Sequence, residues 1–265
     1  MTLPGVLCGS MTADKANLLR DLHRPGDPLI LVNVWDAAGA RTVAAAEGCR
    51  AIATASWSIA AAHGYADGEE IPFELMLAAI ERIAGAVELP VTADIEAGFG
   101  NTSAAVSDTV AAVIGAGAVG VNLEDRLRPA NEHAAILAAV RERGEREGVP
   151  LVINGRSDEF LLGERRLDEA IARGHAYLEA GADCFFIPGL VELEDTRRLI
   201  EGLGGAPVNV LALPVSPPLS ELAGAGVARV SFGPGPMGVA YASLGEAAAT
   251  LLARGDYPKT LSNRP

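Results

Sequence analysis

Along the chain, short apolar runs alternate with longer stretches in which apolar residues recur every three or four positions. The short runs fall at 29–36 (LILVNVWD), 51–56 (AIATAS), 91–96 (VTADIE), 120–125 (GVNLED), 151–158 (LVINGRSD), 184–189 (CFFIPG), 208–213 (VNVLAL) and 229–233 (RVSFG). Runs of this length bounded by turn residues predict buried strands, apolar on both faces. The longer stretches have helical spacing. They include DAAGARTVAAAEG, which stops at Gly48, PFELMLAAIERIAGAV (72–87) with Pro72 at its first turn, TSAAVSDTVAAVIGAG, NEHAAILAAVRERGEREG, RLDEAIARGHAYLEAG and a last run over 237–254.

Strand followed by helix, repeated, implies a parallel sheet covered by helices. Eight such units in 265 residues fit a closed (β/α)8 barrel of the TIM type. An open doubly wound sheet would carry a Gly-x-Gly-x-x-Gly turn after its first strand, and the chain has none there. The phrases IGAGAVG (114–120), EAGAD (179–183) and LAGAGV (222–227) each end a helix and enter a strand, the repeat a barrel predicts. With no composition break in the middle, the expectation is one domain over 1–265, with a short N-terminal extension and a C-terminal tail.

Composition narrows the function. The net charge of −13 and pI near 4.8 argue against nucleic acid, whose binding rests on Lys and Arg meeting phosphates. Cys8, Cys49 and Cys184 are far apart and odd in number, so reduced thiols are expected, with no disulfide framework and no zinc site. No stretch approaches the ~20 apolar residues of a membrane span, and the N-terminus lacks the pattern of a signal peptide. A cytoplasmic protein without a membrane partner is the expectation.

Chemistry concentrates at the C-terminal ends of the predicted strands, where barrel enzymes build their sites. Residues two apart on a strand share a face, so Asp94 joins Glu96, Asn122 joins Glu124, and Asn154 joins Arg156 and Asp158. The second strand ends at Ser56-Trp57, before the loop IAAAHGYADGEE. Carboxylates without His or Cys suit a hard, oxygen-preferring ion such as Mg2+, and Arg156 offers a bidentate grip on an acid group. Together they describe a site for a small anion with adjacent oxygens, such as a 2-oxo acid. The plainer reading is a salt-bridge network between the acids and Arg156. Asp125 and Asp158 could be helix N-caps, Ser56 could satisfy a strand-end backbone group, and Gly98 and Gly100 could be turn residues. The four histidines, His23, His63, His133 and His175, fall off the strand ends and are expected in core or surface roles. Cys184 opens a strand at the opposite end and is no nucleophile candidate.

The motifs NVWDAAGAR, AIATASW, GYADGEEIP, VTADIEAGFG, GVNLED, VINGRSD, AYLEAGAD and ELAGAGVARVSFG together resemble the isocitrate lyase/phosphoenolpyruvate mutase superfamily over nearly the whole chain. The resemblance implies Mg2+, with Mn2+ as a substitute, bound by Asp94 directly and by Glu96 through water, with Glu124 as a third acid. It implies substrate binding by Ser56, the Trp57 amide, Asp94 and Arg156, and catalytic parts for Ser56, Asp67 and Arg156. It also implies a last helix exchanged between subunits of a homodimer or homotetramer. Lyases of the superfamily carry a K-[KR]-C-G-H stretch after strand four, where this chain has Glu124-Asp125-Arg126-Leu127-Arg128-Pro129-Ala130-Asn131. The gating loop of the phosphonomutases is also missing, and Pro188 stands where lyases have a glutamate. What remains is a platform for pyruvate, oxaloacetate or 2-oxoglutarate, with lyase or decarboxylase chemistry through a metal-stabilised enolate. The alternatives are a phosphonopyruvate-type mutase or hydrolase and a non-catalytic 2-oxo acid binder.

Overall fold

The computed structural model describes residues 4–253 and 255–262, with side chains from residue 11 to 261; the Cys8 side chain lies outside them. Nine parallel strands form one sheet: β1 (Leu29–Leu31), β2 (Asn33–Val34), β3 (Ile52–Thr54), β4 (Val91–Asp94), β5 (Gly120–Glu124), β6 (Val152–Arg156), β7 (Cys184–Phe186), β8 (Val208–Leu211) and β9 (Arg229–Ser231). The sheet order runs β1-β9-β8-β7-β6-β5-β4-β3-β2. The strand predicted over 29–36 is divided at Val32, its first half pairing with β9 and its second with β3. That division closes the sheet on itself, so the architecture is the (β/α)8 barrel.

Helices α2 (Ala37–Ala44), α3 (Ser56–Ala62), α4 (Phe73–Ala84), α5 (Ser103–Gly115), α6 (Ala130–Arg146), α7 (Leu167–Glu179), α8 (Leu193–Gly202), α9 (Leu219–Gly224) and α10 (Gly235–Leu252) follow the strands. The sequence pattern misses α1 (Pro4–Asp21), where only an extension was expected. Its apolar stripe is weak, yet Ala16 and Leu19 are fully buried, and a Cβ on Gly120 would lie 2.8 Å from Leu19 Cδ2. Arg20 at its C-terminus donates to Asp183 at 2.7 Å and to the Pro150 carbonyl at 2.9 Å. Helix α1 thus covers the N-terminal end of the barrel.

The two faces of the strands differ, contrary to the prediction. Ala93, Val121, Leu123, Ile153, Phe185, Val210 and Val230 point outward and pack beneath the helices in the apolar core. Each large one contributes roughly 1.5–3 kcal/mol of burial. The inward face carries Thr54, Thr92, Asn122, Asn154, Asn209 and Ser231 around a central cavity. Small uncharged residues break an apolar run only mildly, which hid the alternation.

Helix α10 leaves the barrel. Met237 is buried, whereas Val239 and Leu244 are 70% and 64% exposed. Tyr241 meets Trp35 edge-on, ring centroids 6.1 Å apart.

Candidate active site

Asp94 is the last residue of β4, and its carboxylate is held from two sides. Oδ2 accepts from the Ser56 backbone N–H at 3.1 Å and from Ser56 Oγ at 2.8 Å, at the first turn of α3. Oδ1 accepts from Asn122 Nδ2 at 2.8 Å, and Asn122 Oδ1 in turn accepts from Asn154 Nδ2 at 2.9 Å. The register pairs Asp94 with Asn122 and Asn122 with Asn154, so one rung across β4, β5 and β6 sets the chain of donors. Asp94 lines a cavity of about 180 Å3 that opens at the C-terminal mouth beside Ser56, Trp57, Asp67 and Arg156. From strands and loops across the barrel, Leu161, Phe186, Pro188 and Leu211 supply an apolar wall.

Beside this cavity lies an ion-pair network. Arg156 Nη1 is 2.7 Å from Glu124 Oε2, and its Nε donates to Asp158 at 2.7 Å. Arg126 reaches three carboxylates: Glu124 at 3.0 Å, Glu96 at 3.0 Å and Glu69 at 3.3 Å. Glu96 Oε2 also accepts from the N–H groups of Gly68 and Glu69, at 2.9 and 2.6 Å, and Glu69 Oε1 accepts from Phe99 N at 2.6 Å. Glu69, Glu96, Phe99, Arg126 and Leu127 all have φ between 47° and 65°. Left-handed backbone is unfavourable for such residues, and it persists where surroundings over-determine it. The carboxylate-to-amide bonds just named supply that constraint at Glu69 and Phe99, and a bond from Leu127 N to Asp125 supplies it at Leu127.

These positions answer the sequence reading. Glu96 does not continue the inner face of β4; the chain turns at Ile95, and Glu96 faces the 63–71 loop and Arg126. Glu124 points at two guanidinium groups and not into the cavity. Gly98 serves the turn: its φ is 100°, and a Cβ there would sit 2.6 Å from Val106 on α5. Asp125 and Asp158 cap no helix. Asp125 is fully buried and accepts from Leu127 N, Asp158 N, Tyr177 OH and Arg173 Nη1, at 2.9, 3.0, 2.6 and 3.1 Å. Arg173 also donates to the Arg128 carbonyl at 2.8 Å. The segment after β5, where lyases of the superfamily place their cysteine, is therefore pinned to α7 and passes directly into α6.

Burial and mutual repulsion tune the acids. Desolvation, then the charges of Asp67 and Asp94, push Glu96 up to about 7. Desolvation pushes Glu124 up to about 7 against the opposing charge of Arg156. Asp67, on the mouth loop, is also raised, first by desolvation and then by the Asp94 charge.

A sequence model of the family described as phosphoenolpyruvate phosphomutase matches residues 19–252. The chain belongs to this family. An uncharacterized protein of Mycobacterium tuberculosis H37Rv is 31% identical over 218 residues, 80% of each chain. A solved protein of Burkholderia cenocepacia J2315, provisionally named a phosphonomutase, is 44% identical with a TM-score of 0.85, covering 92% of this chain and 100% of that one. An oxaloacetate decarboxylase of Rhodopseudomonas palustris CGA009 is 35% identical over 149 residues, 52% of this chain and 49% of its own.

Within the phosphoenolpyruvate phosphomutase family fold, the residues expected at the site divide into two groups. Ser56, Trp57, Asp67, Asp94 and Arg156 meet at the cavity, while Glu96 and Glu124 stand behind it. Sequence reasoning missed Arg126 and Glu69, which bind the latter two. Their signal was weak: Glu69 lies in a loop, and Arg126 was noted only as part of a stretch lacking the lyase cysteine.

Among the described residues, no three His, Cys, Asp or Glu side chains converge to hold a metal by themselves. The donor set nonetheless fits a hydrated divalent ion, which keeps several waters and takes one or two carboxylates. Among the described residues, Asp67, Glu69, Asp94, Glu96, Glu124 and Asp158 crowd around two guanidinium groups, Arg126 and Arg156, with Arg229 a third on the wall of the same cavity. In addition, Glu96 Oε1 is a buried acceptor with no donor among the described residues. An excess of negative charge and an unused acceptor are what a bound, water-carrying cation would satisfy.

Proposed function

We propose that the protein is an enzyme that binds a small 2-oxo acid together with Mg2+, or Mn2+ in its place, and acts on it by lyase or decarboxylase chemistry. The observation that carries this reading is Asp94, a carboxylate on the cavity wall with both oxygens oriented by Ser56 and Asn122, beside Arg156 and amid surplus negative charge. Asp94 would hold the ion directly and Glu96 Oε1 through water. When bound, the ion supplies Lewis-acid polarisation of the 2-oxo group.

The chain's own residues supply the rest. Ser56 and Asn122 fix the Asp94 carboxylate. Arg156, with Nε and Nη1 engaged by Asp158 and Glu124, keeps Nη2 for an acid oxygen of the substrate. In a decarboxylation or carbon–carbon cleavage the breaking bond leaves its electron pair on the 2-oxo fragment as an enolate, whose carbon then takes a proton. Asp67 lines the cavity with a carboxyl that burial makes readier to hold a proton, and it is assigned that delivery. Leu161, Phe186 and Pro188 give the reacting carbon an apolar wall on one side of the cavity.

Similarity to the provisionally named phosphonomutase favours a second reading, phosphonopyruvate as substrate with Arg156 gripping the phosphonate. Purified protein with Mg2+ presented with oxaloacetate and, separately, phosphonopyruvate distinguishes them, against blanks with the metal alone. Carbon dioxide and pyruvate from oxaloacetate support the first reading, and pyruvate with phosphate, or phosphoenolpyruvate, from phosphonopyruvate supports the second. Binding without any product would make the protein a 2-oxo acid binder and overturn both. The exposed apolar side of α10 supports a homodimer or homotetramer in which this helix packs on a second copy. Among the described residues no helix is long and apolar enough to cross a membrane, and Cys49 and Cys184 are free thiols, in keeping with a cytoplasmic setting.

A further inference from the structure

Two guanidinium groups line the cavity, and they differ in their partners. Arg156 at the mouth is bonded to Glu124 and Asp158. Arg229 opens β9 and therefore lies deep in the barrel, in register with Leu29 and Asn209 and two residues before inward-facing Ser231. It is 3% exposed, and among the described residues no carboxylate bonds to it.

Among the described residues, the hydrogen-bond partner of Arg229 is a neutral imidazole. His23 Nδ1 donates to the Leu19 carbonyl at 2.8 Å, which leaves Nε2 as an acceptor, 3.4 Å from Arg229 Nη1. Burial and the adjacent guanidinium lower His23 to about 4, so it brings no compensating charge. Asp183, the acid at that end of the barrel, is occupied by Arg20 and Arg141. Among the described residues, Arg229 Nε has no partner. Even lowered by burial to about 10, Arg229 remains a cation at neutral pH. Asp94, on the wall of the same cavity, acts on Arg229 through its charge, but its bonds go to Ser56 and Asn122. A buried charge with no bonded counter-ion is costly, and such groups are ordinarily paired. Two other orphans, Thr92 Oγ1 and Asn154 Oδ1, line the same cavity.

We propose that Arg229, with Asn209 and Ser231 beside it, forms an inner anion subsite that receives the second acid group of a dicarboxylate substrate. This rests on the 2-oxo acid reading and narrows it: one end of the substrate lies at Asp94 and Arg156, and the other is carried down the barrel axis. A volume of about 180 Å3 accommodates a C4 diacid, being roughly six times the ~30 Å3 share of one water. The substrate class is then a four-carbon 2-oxo or 2-hydroxy diacid, and a monoacid leaves Arg229 unpaired.

Malate and lactate test this, since both are 2-hydroxy acids and they differ by the distal carboxylate. Calorimetry with Mg2+ is expected to show at least tenfold tighter binding of malate by the wild-type protein. Arg229→Met is expected to leave lactate unchanged and to bring malate within about twofold of it. Arg229→Lys should keep part of the preference. The melting temperature of Arg229→Met should be no lower than wild type, because the variant removes an uncompensated charge; a fall in melting temperature with the malate preference retained would make Arg229 a structural group and overturn the subsite. An equal preference in both proteins, or none in wild type, overturns the subsite alone. Failure of malate and lactate with pyruvate still bound overturns the subsite alone, and failure of pyruvate as well overturns the 2-oxo acid reading and the subsite with it.

Discussion

Glu124 and Arg156 stand opposite each other on adjacent strands, in register, with Arg156 Nη1 2.7 Å from Glu124 Oε2. The pair explains how a single arginine can be both fixed and available. Its fork is clamped on one side by Glu124 and Asp158, so its orientation is settled before any ligand arrives.

Arg156→Lys keeps the charge and loses the fork. We expect roughly tenfold weaker binding of pyruvate in the presence of Mg2+, measured by calorimetry. Affinity equal to wild type would place Arg156 in the ion-pair scaffold alone.

Ser56 gives Asp94 two of its three hydrogen bonds. A hydrogen bond to a charged group is worth about 1.5–3 kcal/mol, so Ser56→Ala should weaken Mg2+-dependent pyruvate binding at least tenfold, while Asp94→Asn should abolish it. Metal-dependent binding that survives Asp94→Asn would remove Asp94 from the metal site.

Asp125 accepts four hydrogen bonds, two from Arg173 and Tyr177 on α7, one from Leu127 N in its own segment and one from Asp158 N after β6. Removing one partner of a buried ion pair costs on the order of 3–5 kcal/mol. Asp125→Asn should therefore lose about that much in urea unfolding, and a loss under about 1 kcal/mol would show that the hub is dispensable.

Acid should weaken the fold through buried imidazoles. His23 is lowered from 6.5 to about 4 by burial first, then by Arg229, with Asp183 opposing, and His133 is likewise lowered by burial. Between these values each imidazole binds more proton in the unfolded chain than in the folded one, so its contribution to stability rises with pH there. It is fully present above about 6.5 and is lost as pH falls toward 4, by on the order of 3 kcal/mol for His23. Glu96 and Glu124, raised to about 7, act in the opposite sense over much of that window, so the test is a difference. The melting temperature of wild type minus that of His23→Gln should fall as pH drops from about 6.5 toward 4, and a constant difference would show that His23 carries none of the dependence.

Much of the fold was legible because strand length and helical spacing are local properties. All eight predicted strand segments are present, although the first is divided and several are shorter at their C-terminal ends. Helix α1 was not legible, since its burial depends on covering the barrel end and not on its own stripe. At the site, Asp94 and Arg156 could be placed by counting two residues at a time. Glu96 could not, because counting fails once the backbone turns left-handed. Arg229 gave no signal either: a lone arginine at a strand start is visible as an unpaired charge only when the surrounding chain is folded.

Light scattering checks the role of α10. Its exposed Val239, Tyr241 and Leu244 predict a particle of two or four chains, and Leu244→Glu should shift it toward the monomer. A wild-type monomer at micromolar concentration would leave this surface without a second copy.

The polar inner wall of the barrel has a further consequence for how such a chain can change. Cohesion comes from the apolar layer outside the strands, so exchanging one inward Asn, Thr or Ser for another alters hydrogen bonding and leaves that layer intact. Selectivity and folding are thereby carried by opposite faces of the same strands. Single substitutions can then redirect what the cavity admits at little cost in stability, a short mutational path from one small acid to another.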